Sequence, residues 1–565
     1  MQMKFVTGLV SASLLLPLMV SWPAPVNATA REAEDLSSLI LTADQTTINL
    51  DGTAALTLKG VSHDGRRVEL DSADIEYSVS DDKIISSVEK TKEGAIVRAG
   101  TITDGQATVT ATVTDEDGDR KTASVPIHVN LAPDRPFVHD YHETLTMKLF
   151  MADNSGKVFH TFEQGMETIK RIDQATRGIP KIIYLVGWQY NGHDTGYPAM
   201  DVVNPNLKRS QDENAEDSLK WLMQEAFKYN TTVSLHINML DIRESSPLWE
   251  TYLENDLIAK DPNGNLIKYR WGYPISYTRE WESGFTKKRI DKLFDMLPIK
   301  KAGTIHIDAF HQYVPGLPVG PISPYHDISM DQDVETQKKI FRYWRDRGVD
   351  VTSEFDAGYR KDPLIGLQPM AWHFGRTGLD GLKLDPMKIP ASLYVGGDGG
   401  DPRFGTSMLG ENIIKNDPEN LSGFQADFAT KTLPWQYLNQ LKRLTDVNGV
   451  VTFENDVKSW NENGKLRITQ GDAVLRDGND VFVPALWNQE KYREIIAFSK
   501  DGYANRTWKF PNDWTDVKKV DIYTVGFDGL KLVAKNQPVS NGEMTLTLEK
   551  GQTLSIVPHN ANMKK

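Results

Sequence analysis

Cysteine is absent from all 565 residues. A disulfide, a zinc–thiolate site and a cysteine nucleophile are therefore excluded, and stability has to come from packed cores, which a chain of this length can supply. A long apolar run is lacking as well. The stretch 5–20, with Leu14, Leu15, Leu16 and Leu18 at its centre, falls short of the roughly 20 residues of a spanning helix. It follows Lys4 and precedes the small-x-small site Ala28-Thr29-Ala30. The expectation is a signal peptide over 1–30, cleaved near Ala30, and a secreted bacterial protein with no membrane span. Positive charge is in deficit, 64 Lys and Arg against 77 Asp and Glu, for a net charge of −13. That balance argues against nucleic acid or an anionic membrane as partner. The chain also lacks a Gly-x-Ser-x-Gly elbow, a phosphate-binding P-loop and an HExxH pair. His193 and Asp194 adjoin without a spaced third ligand, and the glycine-rich stretch with Asp398 and Asp401 reads as a turn. No metal and no cofactor are expected.

What is present falls into three textures. Residues 35–131 hold short alternating runs at 38–41, 46–50, 54–59, 75–79, 95–99, 106–113 and 123–129. Asp51-Gly52, Asp64-Gly65, Asp104-Gly105 and Asp117-Gly118 supply turn chemistry between them. Short strands at this spacing predict an immunoglobulin-like β-sandwich of the kind that decorates secreted bacterial enzymes and adhesins. It carries no chemical constellation and reads as a spacer or stability unit, with contact to cell wall or glycan left open. Pro133 and Pro136 then mark a linker.

Over 137–435 strands alternate with helices. Strands are predicted at 145–152, 181–188, 232–237, 303–309, 349–355 and 370–374, and helices at 161–176, 216–228, 284–297 and 332–348. Repeated βα units predict a (β/α)8 barrel of the TIM type. A flat doubly wound sheet is the alternative, but its glycine-rich phosphate turn is missing. From 440 to 560 the chain is strand-rich again, with runs at 450–453, 466–469, 481–486, 494–498, 507–510, 520–523, 544–548 and 553–557, and a C-terminal antiparallel β-sandwich is expected.

A barrel places its chemistry at the C-terminal ends of its strands. The strand ending in Trp188 delivers Gln189-Tyr190-Asn191-Gly192-His193-Asp194. Aromatics, amides, a histidine and a carboxylate together suit a sugar, whose C–H face packs on rings while its hydroxyls exchange hydrogen bonds. The next strand ends His236-Ile237-Asn238, with His236 and Asn238 on one face by alternation. The following two deliver Asp308 and the pair Glu354 and Asp356. An aspartate closing an apolar strand is costly to bury without a purpose, and Glu354 and Asp356 share a face, so either can be a second carboxylate. Neighbouring strands lie about 4.8 Å apart, compatible with the roughly 5–5.5 Å between carboxyls in a retaining glycosidase. His236 and His373 each read either as mouth residues or as packed strand histidines.

The run Gly187-Trp188-Gln189-Tyr190-Asn191-Gly192-His193-Asp194, then His236-Ile237-Asn238, His306-Ile307-Asp308 and Thr352-Ser353-Glu354, resembles the endo-α-N-acetylgalactosaminidases of glycoside hydrolase family 101. The resemblance covers about 140–430 and the sandwich after it. It implies a retaining hydrolase of α-linked N-acetylgalactosamine or galactose in mucin-type O-glycans. Asp308 then matches the nucleophile, Glu354 the general acid/base, and His193, Asp194 and Asn238 sugar-binding positions. Trp188, Tyr190, His236, His373 and Trp271 join them as candidate substrate contacts. The family's tryptophan pair soon after the Asn has no counterpart here; the next tryptophans are Trp249 and Trp271. Exo action, an α-galactosidase-like or α-glucan specificity, and a non-catalytic carbohydrate-binding or adhesin role are the alternatives.

Overall fold

The structure is a computed structural model that describes residues 36–70, 75–101, 103–114, 118–268, 272–308, 310, 323–353, 364, 366–369, 386–387, 401–409, 412–415 and 421–561. Residues 1–35, with the expected signal peptide, lie outside these, as do Trp271, Glu354, Asp356, His373 and the expected strand at 370–374.

Residues 36–133 form two sheets. One runs Leu36–Ala43, Thr53–Ser62, Gly94–Ala99, Ile85–Thr91, with Arg67–Val68 on its side. The other runs Thr47–Leu50, Arg120–Pro133, Gly105–Thr114, Ile75–Val79. Every second residue is buried along Thr53–Ser62 and Gly105–Thr114, the period of a sheet with one wet face. Leu56, Val97, Val109 and Ile127 from both sheets join one apolar cluster. The strand Ile85–Thr91 escaped the sequence reading because only Ile85 of its residues is buried and its pattern lacks the alternation of a half-buried strand. The expected linker begins late: strand pairing continues to Pro133, which stands opposite Leu50.

The middle of the chain builds a parallel sheet of six strands: β1 (Leu145–Phe150), β2 (Lys181–Val186), β3 (Thr231–Asn238), β4 (Thr304–Asp308), β5 (Asp350–Ser353) and β6 (Met408–Leu409). Each of β1 to β4 pairs with the next in chain order, and β6, last in the chain, pairs with β1, so that β5 and β6 are the two edges of the sheet among the described residues. This order, with the last strand returning beside the first, is compatible with the expected barrel. The helices α1 (Phe162–Ala175), α2 (Ala215–Glu225), α3 (Phe285–Met296) and α4 (Met330–Arg345) fall between the strands. Two open on capping boxes that the sequence spells out. Thr161 with Gln164 caps α1 and Ser329 with Gln332 caps α4, each pair satisfying two backbone N–H groups.

The strand faces differ in chemistry. Met147, Leu149, Ile183, Leu185, Val233, Leu235, Ile237, Ile305, Ile307 and Val351 share an apolar cluster with Ile169, Leu222, Ile290 and Phe341 of the helices. The alternate residues Thr146, Tyr184, Ser234, His236, Thr304, His306 and Thr352 are buried and polar, and they bond across the interior. The Tyr184 hydroxyl lies 2.7 Å from Thr304 Oγ1, Tyr141 donates to the same oxygen at 2.8 Å, and His306 Nδ1 lies 2.8 Å from Thr352 Oγ1.

An insertion follows β3. It holds a short pairing of Asp241–Ile242 with Tyr273–Pro274, the helices Trp249–Glu254 and Tyr277–Glu282, and its own apolar cluster of Ile242, Tyr252, Leu257, Ile258 and Ile275. No sequence periodicity announced it, since its elements are two to six residues long.

After residue 440 a ten-stranded antiparallel sheet takes in most strands up to Thr553–Pro558, and Tyr503–Lys509 pairs separately with Glu543–Leu548. Trp508 of the small sheet stacks on Phe482 of the large one at 5.3 Å. The two layers enclose a second core.

Candidate active site

Along the polar face of the parallel sheet, toward the C-terminal ends of its strands, runs a row of rings. His193 meets Phe150 and His236 edge-on at 5.6 and 5.5 Å, His236 lies 5.3 Å from His306, and His306 lies 5.2 Å from Tyr184. Register places His236 beside His306 and Asn238 beside Asp308. Asp308 closes β4 on the same polar face, its side chain 17% exposed, with Oδ1 3.8 Å from His236 Nε2.

His193 and Asp194 arrive from the loop after β2, and two glycines bring them. Gly187 has φ +77° and Gly192 φ +125°, conformations that favour glycine. A Cβ on Gly187 would stand 1.9 Å from the Ala152 carbonyl oxygen, and one on Gly192 2.0 Å from that of Asp153. The loop can therefore press against the end of β1, where the His193 N–H donates to the Ala152 carbonyl at 3.0 Å. His193 Nδ1 then stands 3.1 Å from Asp194 Oδ1, and Arg243 reaches within 3.7 Å of Asp194 Oδ2.

Donor atoms of His193, Asp194 and Asp308 lie within 4.8 Å of one another, the single convergence of three such groups among the described residues. Three donors at that spacing fit a cation in geometry alone. A cation would neutralise the carboxylate that a nucleophilic role for Asp308 keeps charged, so no metal role is assigned.

The remaining sequence candidates occupy the same region with different exposure. Trp188 is fully buried and donates its indole N–H to the His236 carbonyl at 3.0 Å. His236 is 1% exposed. Asn238, equally buried, is bonded within its own turn: its amide nitrogen donates to Asp241 Oδ2 at 2.8 Å and its amide oxygen accepts the N–H groups of Leu240 and Asp241. Tyr190 is half-buried and donates its hydroxyl to Asp201 at 2.6 Å. Glu354, one position past the end of β5, and His373 and Trp271 belong to the residues not described.

The structure adds groups the sequence reading passed over. Tyr197 is buried beside the charges of Asp194 and Asp308, and burial drives its hydroxyl well above the ordinary range. Asp241 is 7% exposed, and burial, then the Asp194 charge, push its carboxyl up to about 7. Spacing offered one clue: Asp241 stands three residues after Asn238, the reach of a side-chain turn.

Residues 116–364 match the profile of glycoside hydrolase family 101, described as endo-alpha-N-acetylgalactosaminidase. That stretch contains His193, Asp194, Asn238, Asp308 and Glu354, and His373 lies beyond it. No curated protein sequence matches the chain. Among solved structures, alpha-N-acetylgalactosaminidase NagBb from Bifidobacterium bifidum, in its GalNAc complex, aligns at 10% identity and TM-score 0.41 over 75% of this chain and 73% of that one. The GH36 alpha-galactosidase AgaA from Geobacillus stearothermophilus aligns at 10% identity and TM-score 0.37 over 90% and 79%. At such identity and overlap these two likenesses carry no argument about substrate.

Proposed function

We propose, from the premise that residues 116–364 are a glycoside hydrolase domain of the endo-α-N-acetylgalactosaminidase type, that the chain cleaves α-linked N-acetylgalactosamine or galactose by double displacement. Asp308 attacks the anomeric carbon and Glu354 protonates the leaving oxygen. Water activated by Glu354 then releases the sugar from Asp308. The observation that carries the reading is the convergence of Asp308 with His193 and Asp194 at the mouth. One carboxylate lies where a strand ends, and a histidine and a second carboxylate stand beside it to take sugar hydroxyls. Glu354 enters by its match to the family motif Thr352-Ser353-Glu354. Arg243 and Tyr190 complete the polar rim, and Trp188 acts through His236 by holding its backbone.

We propose further that the protein is secreted and that the N-terminal sheets are an Ig-like spacer. Among the described residues, no helix is long and apolar enough to cross a membrane.

The test is release of p-nitrophenol from α-glycosides of Gal-β1,3-GalNAc, GalNAc, Gal and Glc by the protein and its Asp308→Asn variant. Hydrolysis of the disaccharide alone, reduced by several orders of magnitude in the variant, is the expected result. Hydrolysis of a monosaccharide would keep the mechanism and change the specificity. Near-normal turnover by Asp308→Asn would remove Asp308 from the nucleophile role, and no hydrolysis with retained sugar binding would favour a binding protein.

A further inference from the structure

Asp241 has no part in the displacement outlined above, yet its surroundings are unusual. Its side chain is almost completely enclosed. One oxygen, Oδ2, accepts a hydrogen bond from Asn238. The other, Oδ1, is buried with no hydrogen-bond partner among the described residues. A buried carboxylate oxygen left without a donor is costly, and protonation lowers that cost by removing the charge. The backbone fixes the position: Asp241 pairs with Pro274 across the insertion, and its own N–H bonds back to Asn238. Charged and titratable groups bear on it from two sides. The loop after β2 brings Asp194 and His193, and its own strand brings Arg243. Tyr197, from the same loop, senses both Asp194 and Asp241.

We propose that Asp241 is a positioning residue for the sugar-binding mouth, the buried acid that keeps Asp194 in its place beside His193 and Asp308. This rests on the reading of the mouth as a sugar site. Two carboxylates in one low-dielectric corner do not both ionise readily, so a single proton settles on the more buried one. Asp241 is that one, and the proton belongs on Oδ1 because Oδ2 already accepts from Asn238. Asp194, partly exposed and within reach of Arg243, is left as an acceptor for sugar hydroxyls. When Asp241 ionises it repels Asp194 and weakens the Asn238 turn that it shares. Binding of the sugar therefore weakens on the alkaline side of neutrality, and chemistry at Asp308 is affected less.

The experiment measures KM and kcat from pH 5.5 to 9 with the aryl α-glycoside the protein hydrolyses, for the unmodified protein, Asp241→Asn and Asp241→Ala. The unmodified protein is expected to show KM rising several-fold above pH 7 while kcat changes less. Asp241→Asn, neutral and still able to accept from Asn238, loses that rise. Asp241→Ala raises KM at every pH, because the turn is loosened too. An alkaline rise in KM that persists in Asp241→Asn would overturn the proposal.

A second measurement does not depend on the substrate. Carboxyl 13C NMR of Asp-labelled protein, with the Asp241 signal assigned by its loss in Asp241→Asn, should give a midpoint near neutrality that falls in Asp194→Asn. A midpoint in the ordinary carboxylate range, or one indifferent to Asp194→Asn, would overturn the pairing. If no glycoside is hydrolysed, the sugar-site reading fails on that ground, and the NMR titration still decides whether Asp241 and Asp194 share a proton.

Discussion

At Gly187 a Cβ would meet both the Ala152 carbonyl oxygen and, at 2.9 Å, the His193 amide nitrogen. The φ of +77° adds a strain of about 1–2 kcal/mol for any L side chain. Gly187→Ala is therefore expected to lower the thermal midpoint and, by displacing His193 and Asp194 from Asp308, to lower kcat/KM more than stability alone accounts for. Calorimetry beside the aryl glycoside assay checks both; an unchanged kcat/KM would show that the loop does not depend on that contact. A different trio shows why connectivity is no guide to role. Ser323 Oγ lies 2.6 Å from His326 Nδ1, and His326 Nε2 lies 2.6 Å from Asp256, the order of a hydrolytic triad. Ser323 is fully buried, however, and its oxygen accepts the Lys260 N–H at 2.8 Å. It fastens the segment 323–326 to the insertion and offers no nucleophile.

The elements around the mouth are tied by a buried ion pair. Glu280, in the helix Tyr277–Glu282, takes two hydrogen bonds of 2.7 Å from Arg289 of α3 and one from Thr286, with Tyr252 also donating to it. Arg289 also donates to the Pro198 carbonyl at 3.2 Å, so α3 holds the far end of the loop that carries His193 and Asp194. Removing one partner leaves a charge buried alone, at about 3–5 kcal/mol. Arg289→Ala should lower the free energy of unfolding, read from urea denaturation, by that much, and the double replacement Glu280→Leu with Arg289→Met should cost less than the single one. A double variant no more stable than Arg289→Ala would contradict this. At this scale much was legible. The helices appear within a few residues of the apolar periodicity, because that periodicity is the same burial that stabilises them. The insertion after β3 was not legible, since it is held by tertiary contacts rather than by length or pattern.

For the whole molecule, the N-terminal sheets and the C-terminal sheets both fasten to the central βα region. Arg342 of α4 grips Asp51 with two bonds, of 2.6 and 3.1 Å, and Leu50 backs onto Gly366. At the other junction Glu494, 1% exposed, receives Arg177 at 2.7 Å and Asn488 at 2.7 Å. At the start of β5 Asp350 accepts from the backbone of Val138 and His139 and pairs with Arg345 at 3.3 Å. Burial nonetheless pushes its carboxyl up to about 6. A raised acid contributes stability that is complete below its unfolded value, near 4, and is lost as pH rises through the folded value. Asp350→Asn should therefore flatten the pH dependence of stability between about pH 4 and 6, measured by urea unfolding at fixed ionic strength. An unchanged slope would mean that Asp350 titrates normally.

The order of the βα units, the strand that ends on Asp308 and the aromatic, amide-rich loop after β2 were all settled by sequence. Alternation and periodicity are local consequences of burial, and a carboxylate closing an apolar strand is conspicuous in one dimension. Which side chains the mouth commits was decided only by folding. Asn238 and Asp241 bond to each other, Trp188 turns into the core to hold the His236 carbonyl, and buried Asp241 comes within reach of the Asp194 charge. Those outcomes depend on which oxygens find donors once water is excluded, a matter of three-dimensional accounting that no spacing along the chain records.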